Sequence, residues 1–99
     1  MDKQNLKVEY VFATSLKSAQ YNPRKWDEDA IKQLAESIKR FGLVDPIIVN
    51  SAKKRKNVVI GGHFRLKVAK DLGYKEIPVV YVNISDIEKE KELNINKIN

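Results

Sequence analysis

The sequence predicts a small mixed α/β domain: a mixed sheet of about four strands carrying two core helices, with a further helix at the C-terminal end. Three observations predict it. β-branched runs alternate with two stretches of helical periodicity, each stopped by a glycine. A basic tetrad, Lys53-Lys54-Arg55-Lys56, separates two short apolar runs and folds them into an antiparallel pair. The second of these runs, Val58-Val59-Ile60, passes through Gly61 and Gly62 directly into a helical segment.

Taken in order, Val8 to Phe12 alternates Val8, Tyr10 and Phe12 and reads as a strand. Residues 15–24 read as loop, rich in turn formers and closed by Asn22-Pro23-Arg24, where the residue before proline is held extended. Asp27 is the expected N-cap of a helix running to about Arg40. Trp26 and Ile31 occupy the positions of a hydrophobic staple. Ile31, Leu34, Ala35, Ile38 and Phe41 form its apolar stripe, and Gly42 ends it. Pro46 to Asn50 and Val58 to Ile60 are the hairpin strands around the tetrad. The second helix carries an apolar face of Phe64, Val68, Ala69 and Leu72 and stops at Gly73. Ile77 to Val82 is the last strand, with Pro78 placed at its start. Ser85-Asp86-Ile87-Glu88 reads as a capping box opening a third helix. The expected organisation is a core domain over residues 1–84, then a helix and linker over residues 85–99 leading toward a downstream domain.

Composition narrows the chemistry. Ninety-nine residues suffice for one domain with a modest core. With no cysteine, disulfides, thiolate metal sites and cysteine catalysis are excluded; a single histidine adds to the case against a structural metal. No apolar run is long enough to span a membrane, and a cytoplasmic location is expected. The net charge of +6 points to an anionic partner, nucleotide or nucleic acid. Lys53, Lys54, Arg55 and Lys56 are candidate DNA contacts, although such a run at a hairpin tip is commonly only solvated.

The glycine turn is the candidate site. A strand that turns through glycines into a helix N-terminus offers backbone donors and the positive end of the helix dipole to an anion. Gly61 and Gly62 permit positive φ and close approach of a ligand. At about 100° per residue, Arg65 falls inside the apolar face of the helix, while Lys67, Lys70 and Asp71 fall outside it. A cation directed inward must find an anion, because unpaired buried charge is costly. Two partners fit: a phosphate gripped bidentately, or an internal carboxylate such as Asp45.

Several segments together resemble one family. Asn22-Pro23-Arg24, Leu34-Ala35-Glu36-Ser37-Ile38, Gly42-Leu43-Val44-Asp45-Pro46-Ile47, Gly62-His63-Phe64-Arg65 and Ile77-Pro78-Val79 are similar, in order and spacing, to the N-terminal domain of ParB proteins. That domain belongs to the ParB/sulfiredoxin superfamily, and the resemblance covers roughly residues 8–84. It implies a nucleotide site in which Gly62 and Arg65 match a glycine–x–x–arginine motif around the phosphates and Arg24 matches a first-loop arginine beside them. The implied ligand is a nucleoside triphosphate, CTP or ATP, with Mg2+ accompanying it when bound. Partition proteins have Glu-Arg where this chain has His63-Phe64, which removes the acid associated with chemistry. Sulfiredoxin activity needs a cysteine in this turn and is excluded. A looser resemblance is to ParB-like domains fused ahead of phage or mobile-element DNA methyltransferases.

The favoured reading is a phosphate- or nucleotide-binding module that regulates or positions a DNA-acting protein, in DNA modification or partition, through Arg24, Gly61, Gly62, His63 and Arg65. DNA is an expected partner, chiefly through a downstream domain, and a homodimer is compatible with the chain. The alternatives are a ParB-like nuclease or nucleotide hydrolase, for which His63 is the one nameable general base, and an interaction domain with a vestigial pocket. No complete catalytic constellation is present in the sequence.

Overall fold

The structure is a computed structural model that describes residues 7–19 and 27–96. The elements follow the expected order: β1 (Val8–Phe12), α1 (Glu28–Phe41), β2 (Ile47–Asn50), β3 (Val59–Gly61), α2 (His63–Asp71), β4 (Glu76–Val82) and α3 (Ile87–Asn96). The four strands form one mixed sheet in the order β1-β4-β2-β3. β1 pairs antiparallel with β4, β2 pairs antiparallel with β3, and β2 and β4 run parallel.

Local sequence sets the ends of the helices. The Asp27 carboxylate accepts from the backbone N–H groups of Asp29 (3.0 Å) and Ala30 (3.4 Å), capping α1. Gly42, at φ +83°, ends that helix with its N–H donated to the Ile38 carbonyl at 2.8 Å. Gly73, at φ +91°, closes the turn after α2. The third cap falls on Asp86, not on Ser85: its carboxylate accepts from Glu88 N–H at 2.9 Å, and the helix begins at Ile87. A carboxylate is the stronger acceptor at the positive end of a helix. Trp26 of the expected staple lies outside the described residues.

Ile47, Val49, Val59, Ile77 and Val79 project from one face of the sheet and pack with Leu66 and Ala69 of α2, and with Ala13 and Leu16 after β1. Helix α1 lies against α2 in turn. Because α2 is covered on more than one side, its burial exceeds a single stripe. Leu66, not counted in the expected apolar face, is in the core, whereas Leu72 is only half-buried. The α1 stripe is buried fully only at Ile38; Phe41 stays 64 % exposed, with the Arg40 guanidinium over its ring.

Pro78 is not at the start of its strand but the third residue of β4, which lies between β1 and β2. A proline is tolerated in this inner strand because of register. The ladder to β2 opens at the Ile47–Val79 pair, so the missing N–H falls ahead of that ladder.

Helix α3 packs on β3, and polar groups hold it. Glu90 is fully buried, and its carboxylate takes two hydrogen bonds from Arg55, Nε at 3.1 Å and a terminal nitrogen at 2.8 Å. The buried Asn50 side chain donates to Glu90 at 2.6 Å and to the Ile84 carbonyl at 2.8 Å. Its oxygen accepts from the N–H groups of Ala52 and Ile84. One turn beyond Glu90, Asn94 donates to the Ile60 carbonyl at 2.7 Å.

Candidate functional site

Gly61 and Gly62, read together in the sequence, have different roles. Gly61 is the last residue of β3, paired with Ile48, and it is not among the positive-φ glycines. Gly62 alone makes the turn, in the left-handed region at φ +94°, as the N-cap of α2. A Cβ at Gly62 would lie 2.8 Å from the Ile47 side chain and 2.9 Å from a terminal nitrogen of Arg65. The space a side chain would take is therefore occupied by the Arg65 guanidinium, which folds back over the turn.

Arg65 is only partly exposed. One terminal nitrogen donates to the Pro46 carbonyl at 3.0 Å, fixing the guanidinium between the start of β2 and the start of α2. Its Nε is buried and has no hydrogen-bond partner among the described residues. Burial pushes the Arg65 pKa below its ordinary value, while the nearby Asp45 carboxylate works against that shift. The group stays cationic, since a guanidinium is not deprotonated in proteins. The alternative of an ion pair with Asp45 is not realised: Asp45 is exposed and acts on Arg65 as a neighbouring charge, while the hydrogen bond goes to the Pro46 carbonyl.

A positioned cation with an unspent buried donor, set at the positive end of α2, suits a phosphate group. The charge-assisted bonds it has yet to make are the strong ones. These donors fit a phosphate group of the kind a nucleotide carries. His63 is the first residue of α2 and is 8 % exposed, so it lines the turn instead of standing in solvent. Arg24, the other expected phosphate ligand, lies outside the described residues. Among the described residues no three His, Asp or Glu side chains are grouped so as to hold a metal ion.

The basic turn divides. Arg55 turns inward to Glu90, as described above, and is half-buried, whereas Lys53, Lys54 and Lys56 are exposed. These lysines, with Lys17, Ser18 and Val58, border a cleft of about 350 Å³. Asn57, at φ +69°, closes the turn. Sequence reasoning missed the roles of Asn50, Glu90 and Asn94; their nearest signal is a set of polar residues in otherwise apolar surroundings, which does not name a partner.

The sequence matches the ParB N-terminal domain family over residues 1–98. Among curated proteins it is 46 % identical over 72 residues to the "Probable chromosome-partitioning protein ParB" of Campylobacter jejuni, covering 72 % of this chain and 24 % of that one. Among solved structures it superimposes with a TM-score of 0.77 on the C-terminally truncated chromosome-partitioning protein ParB from Caulobacter crescentus complexed with CTP-γ-S. That match has 22 % identity and covers 90 % of this chain and 51 % of the other. Sulfiredoxin from Arabidopsis thaliana matches with a TM-score of 0.72 and 20 % identity, covering 88 % of this chain and 96 % of its own. At these identities the two structures establish the shared fold. The chain spans about a quarter of the length of the curated relatives it matches. No helix among the described residues is long and apolar enough to cross a membrane.

Proposed function

The chain belongs to the ParB N-terminal domain family, and from that premise we propose that it is a nucleotide-binding module that regulates a DNA-acting protein, in partition or DNA modification. The observation that carries the reading is Arg65: a guanidinium pinned at one nitrogen by the Pro46 carbonyl, with a buried Nε still to be satisfied. A phosphate seated at the Gly62 turn meets that donor and the positive end of α2 together. His63 borders the same turn, and Arg24 supplies a second cation in this reading. CTP is the first ligand to test, because the fold is shared with a ParB solved with CTP-γ-S; ATP is the second. Mg2+ would enter with the triphosphate.

The test is calorimetric titration of CTP and ATP, with Mg2+, into the wild-type chain and Arg65→Ala. Charge-assisted contacts to phosphate contribute about 1.5–3 kcal/mol. Arg65→Ala is therefore expected to weaken binding at least about tenfold, with the melting temperature little changed. A wild-type chain that binds neither nucleotide at millimolar concentration would overturn the proposal.

The lysines of the basic turn give DNA a second, weaker foothold in this reading. They carry charge without base-reading side chains beside them, so binding by the chain itself is expected to be independent of sequence and steeply salt-dependent. Replacing Lys53, Lys54 and Lys56 together by Gln should flatten the dependence of log K on log salt by up to about three, near one for each phosphate no longer neutralised. A gel shift that keeps one preferred sequence at high salt would refute this mode of binding.

A further inference from the structure

The two faces of the sheet are finished differently. Ile77 and Val79 of β4 belong to the core under α2, and Val11 of β1 packs against the same cluster. Tyr10 pairs with Pro78 and Phe12 with Glu76, so Val8, Tyr10 and Phe12 project together from the opposite face. Helix α3 packs on β3, at the far edge of the sheet. The three β1 side chains are left 49 %, 67 % and 63 % exposed. Two aromatic rings displayed side by side on an exposed strand mark a contact surface. Cations stand at the end of that strand. Phe12 borders a cleft of about 610 Å³ whose walls include the half-buried Tyr74 ring and the exposed Lys70 and Lys75. Lys70 is in the last turn of α2, so this cleft lies at the end of the helix away from Gly62. It is also at the end of the sheet away from the basic turn. That turn follows Asn50, which pairs with Val82, whereas Phe12 pairs with Glu76.

We propose that this face binds single-stranded nucleic acid, with bases stacked on Tyr10 and Phe12 and phosphates held by Lys70 and Lys75 at the cleft. A nucleotide unit needs a π-face and a cation, and this surface supplies both. Residues two apart on a strand are separated by about 7 Å, twice the ~3.4 Å step of stacked bases. A nucleic-acid strand meets both rings only with its bases splayed, one on each, which a duplex does not allow. Stacking and phosphate contacts carry no base readout, so the binding is tolerant of sequence. A protein partner fits less well: five residues on one strand are far fewer than the roughly 20–30 a side of a stable protein interface. Of the two carboxylates on β1 and β4, Glu9 projects from the other face, beside Val79. Glu76, opposite Phe12, shares this face and opposes phosphate, which keeps the affinity moderate.

Fluorescence anisotropy with the 99-residue chain tests this. The probes are labelled oligothymidylate of about six nucleotides, long enough to cover both rings and the cleft, and an abasic strand of the same length. The abasic strand keeps every phosphate and lacks the bases. Wild type is expected to bind oligothymidylate at least about tenfold more tightly, since each stacked base contributes a factor of about five or more. Tyr10→Ala combined with Phe12→Ala should bring the two affinities together with an unchanged circular dichroism spectrum, and Tyr10→Trp with Phe12→Trp should keep them apart. Glu76→Gln should tighten both strands by about twofold or more. Replacing Lys53, Lys54 and Lys56 by Gln, or Arg65 by Ala, should leave the ratio as in the wild type, which separates this face from the basic turn and from the Gly62 turn. Oligouridylate, measured alongside, distinguishes RNA from DNA as the strand bound. Equal affinity for the thymidylate and abasic strands, or a ratio that survives loss of both rings, overturns the proposal. So does a wild type that binds neither strand at about 0.5 mM, above the usual range for non-specific contacts; that result would leave the face to a protein.

Discussion

Replacing Arg55 by alanine is expected to destabilise the domain by about 3–5 kcal/mol, the usual cost of removing one partner of a buried ion pair. The reason is asymmetry. Glu90 has no exposed surface, and Arg55 holds both of its oxygens. In Arg55→Ala the carboxylate keeps the Asn50 amide but loses its compensating charge. Leaving an ionised carboxylate buried costs more than the pair itself contributes to stability. Glu90→Gln in the Arg55→Ala background removes the stranded charge and should recover part of the loss. Chemical denaturation of the wild type, the single variants and the double variant checks this. Single and double variants that all fall within about 0.5 kcal/mol of wild type, the range of ordinary surface substitutions, would show that Arg55 behaves as a solvated lysine would.

Gly62→Ala should damage stability and ligand binding together. A non-glycine residue held at positive φ costs of order 1–3 kcal/mol in a constrained setting. The new methyl group would also stand 2.8 Å from the tip of the fully buried Ile47 side chain, which would have to shift to admit it. Overpacking of that kind costs typically about 1–3 kcal/mol. The second close neighbour is the Arg65 guanidinium at 2.9 Å, whose displacement would break its bond to the Pro46 carbonyl. The expected outcome is a clear fall in melting temperature and loss of nucleotide affinity comparable to Arg65→Ala, which itself leaves the fold intact. Thermal unfolding and titration on both variants separate the effects. If Gly62→Ala binds nucleotide as wild type does, Arg65 does not need its place over the turn.

Local signals carry most of the element boundaries. The Asp27 cap, the Gly42 and Gly73 stops and the apolar runs around the basic tetrad each act within a few residues, and each element forms where they place it. Arg65 stands out because a cation on an apolar helix face is anomalous in itself. What lies beyond reach depends on pairing across distance. Arg55 reads as one of four solvated cations because nothing near it in sequence is acidic; its partner lies 35 residues away. The mixed sheet order, with β4 inserted between β1 and β2, is likewise set by tertiary contacts. Leu66 escapes the periodicity because a helix covered on several sides does not show one stripe.

The attachment of α3 has a thermodynamic signature of its own. Among its described side chains the two that are buried, Glu90 and Asn94, are both polar. Exposing apolar surface raises the heat capacity and exposing polar surface lowers it, so on release of this helix the exposure of Glu90 and Asn94 would offset part of the increment from the apolar surface uncovered with it. A calorimetric scan would therefore register that step faintly, beside the large heat-capacity increment of opening the sheet core. Amide hydrogen exchange would register it plainly, as α3 amides exchanging through an opening smaller than global unfolding. The grip of α3 should also vary less on cooling than that of α2, whose buried Leu66, Val68 and Ala69 depend on the hydrophobic effect.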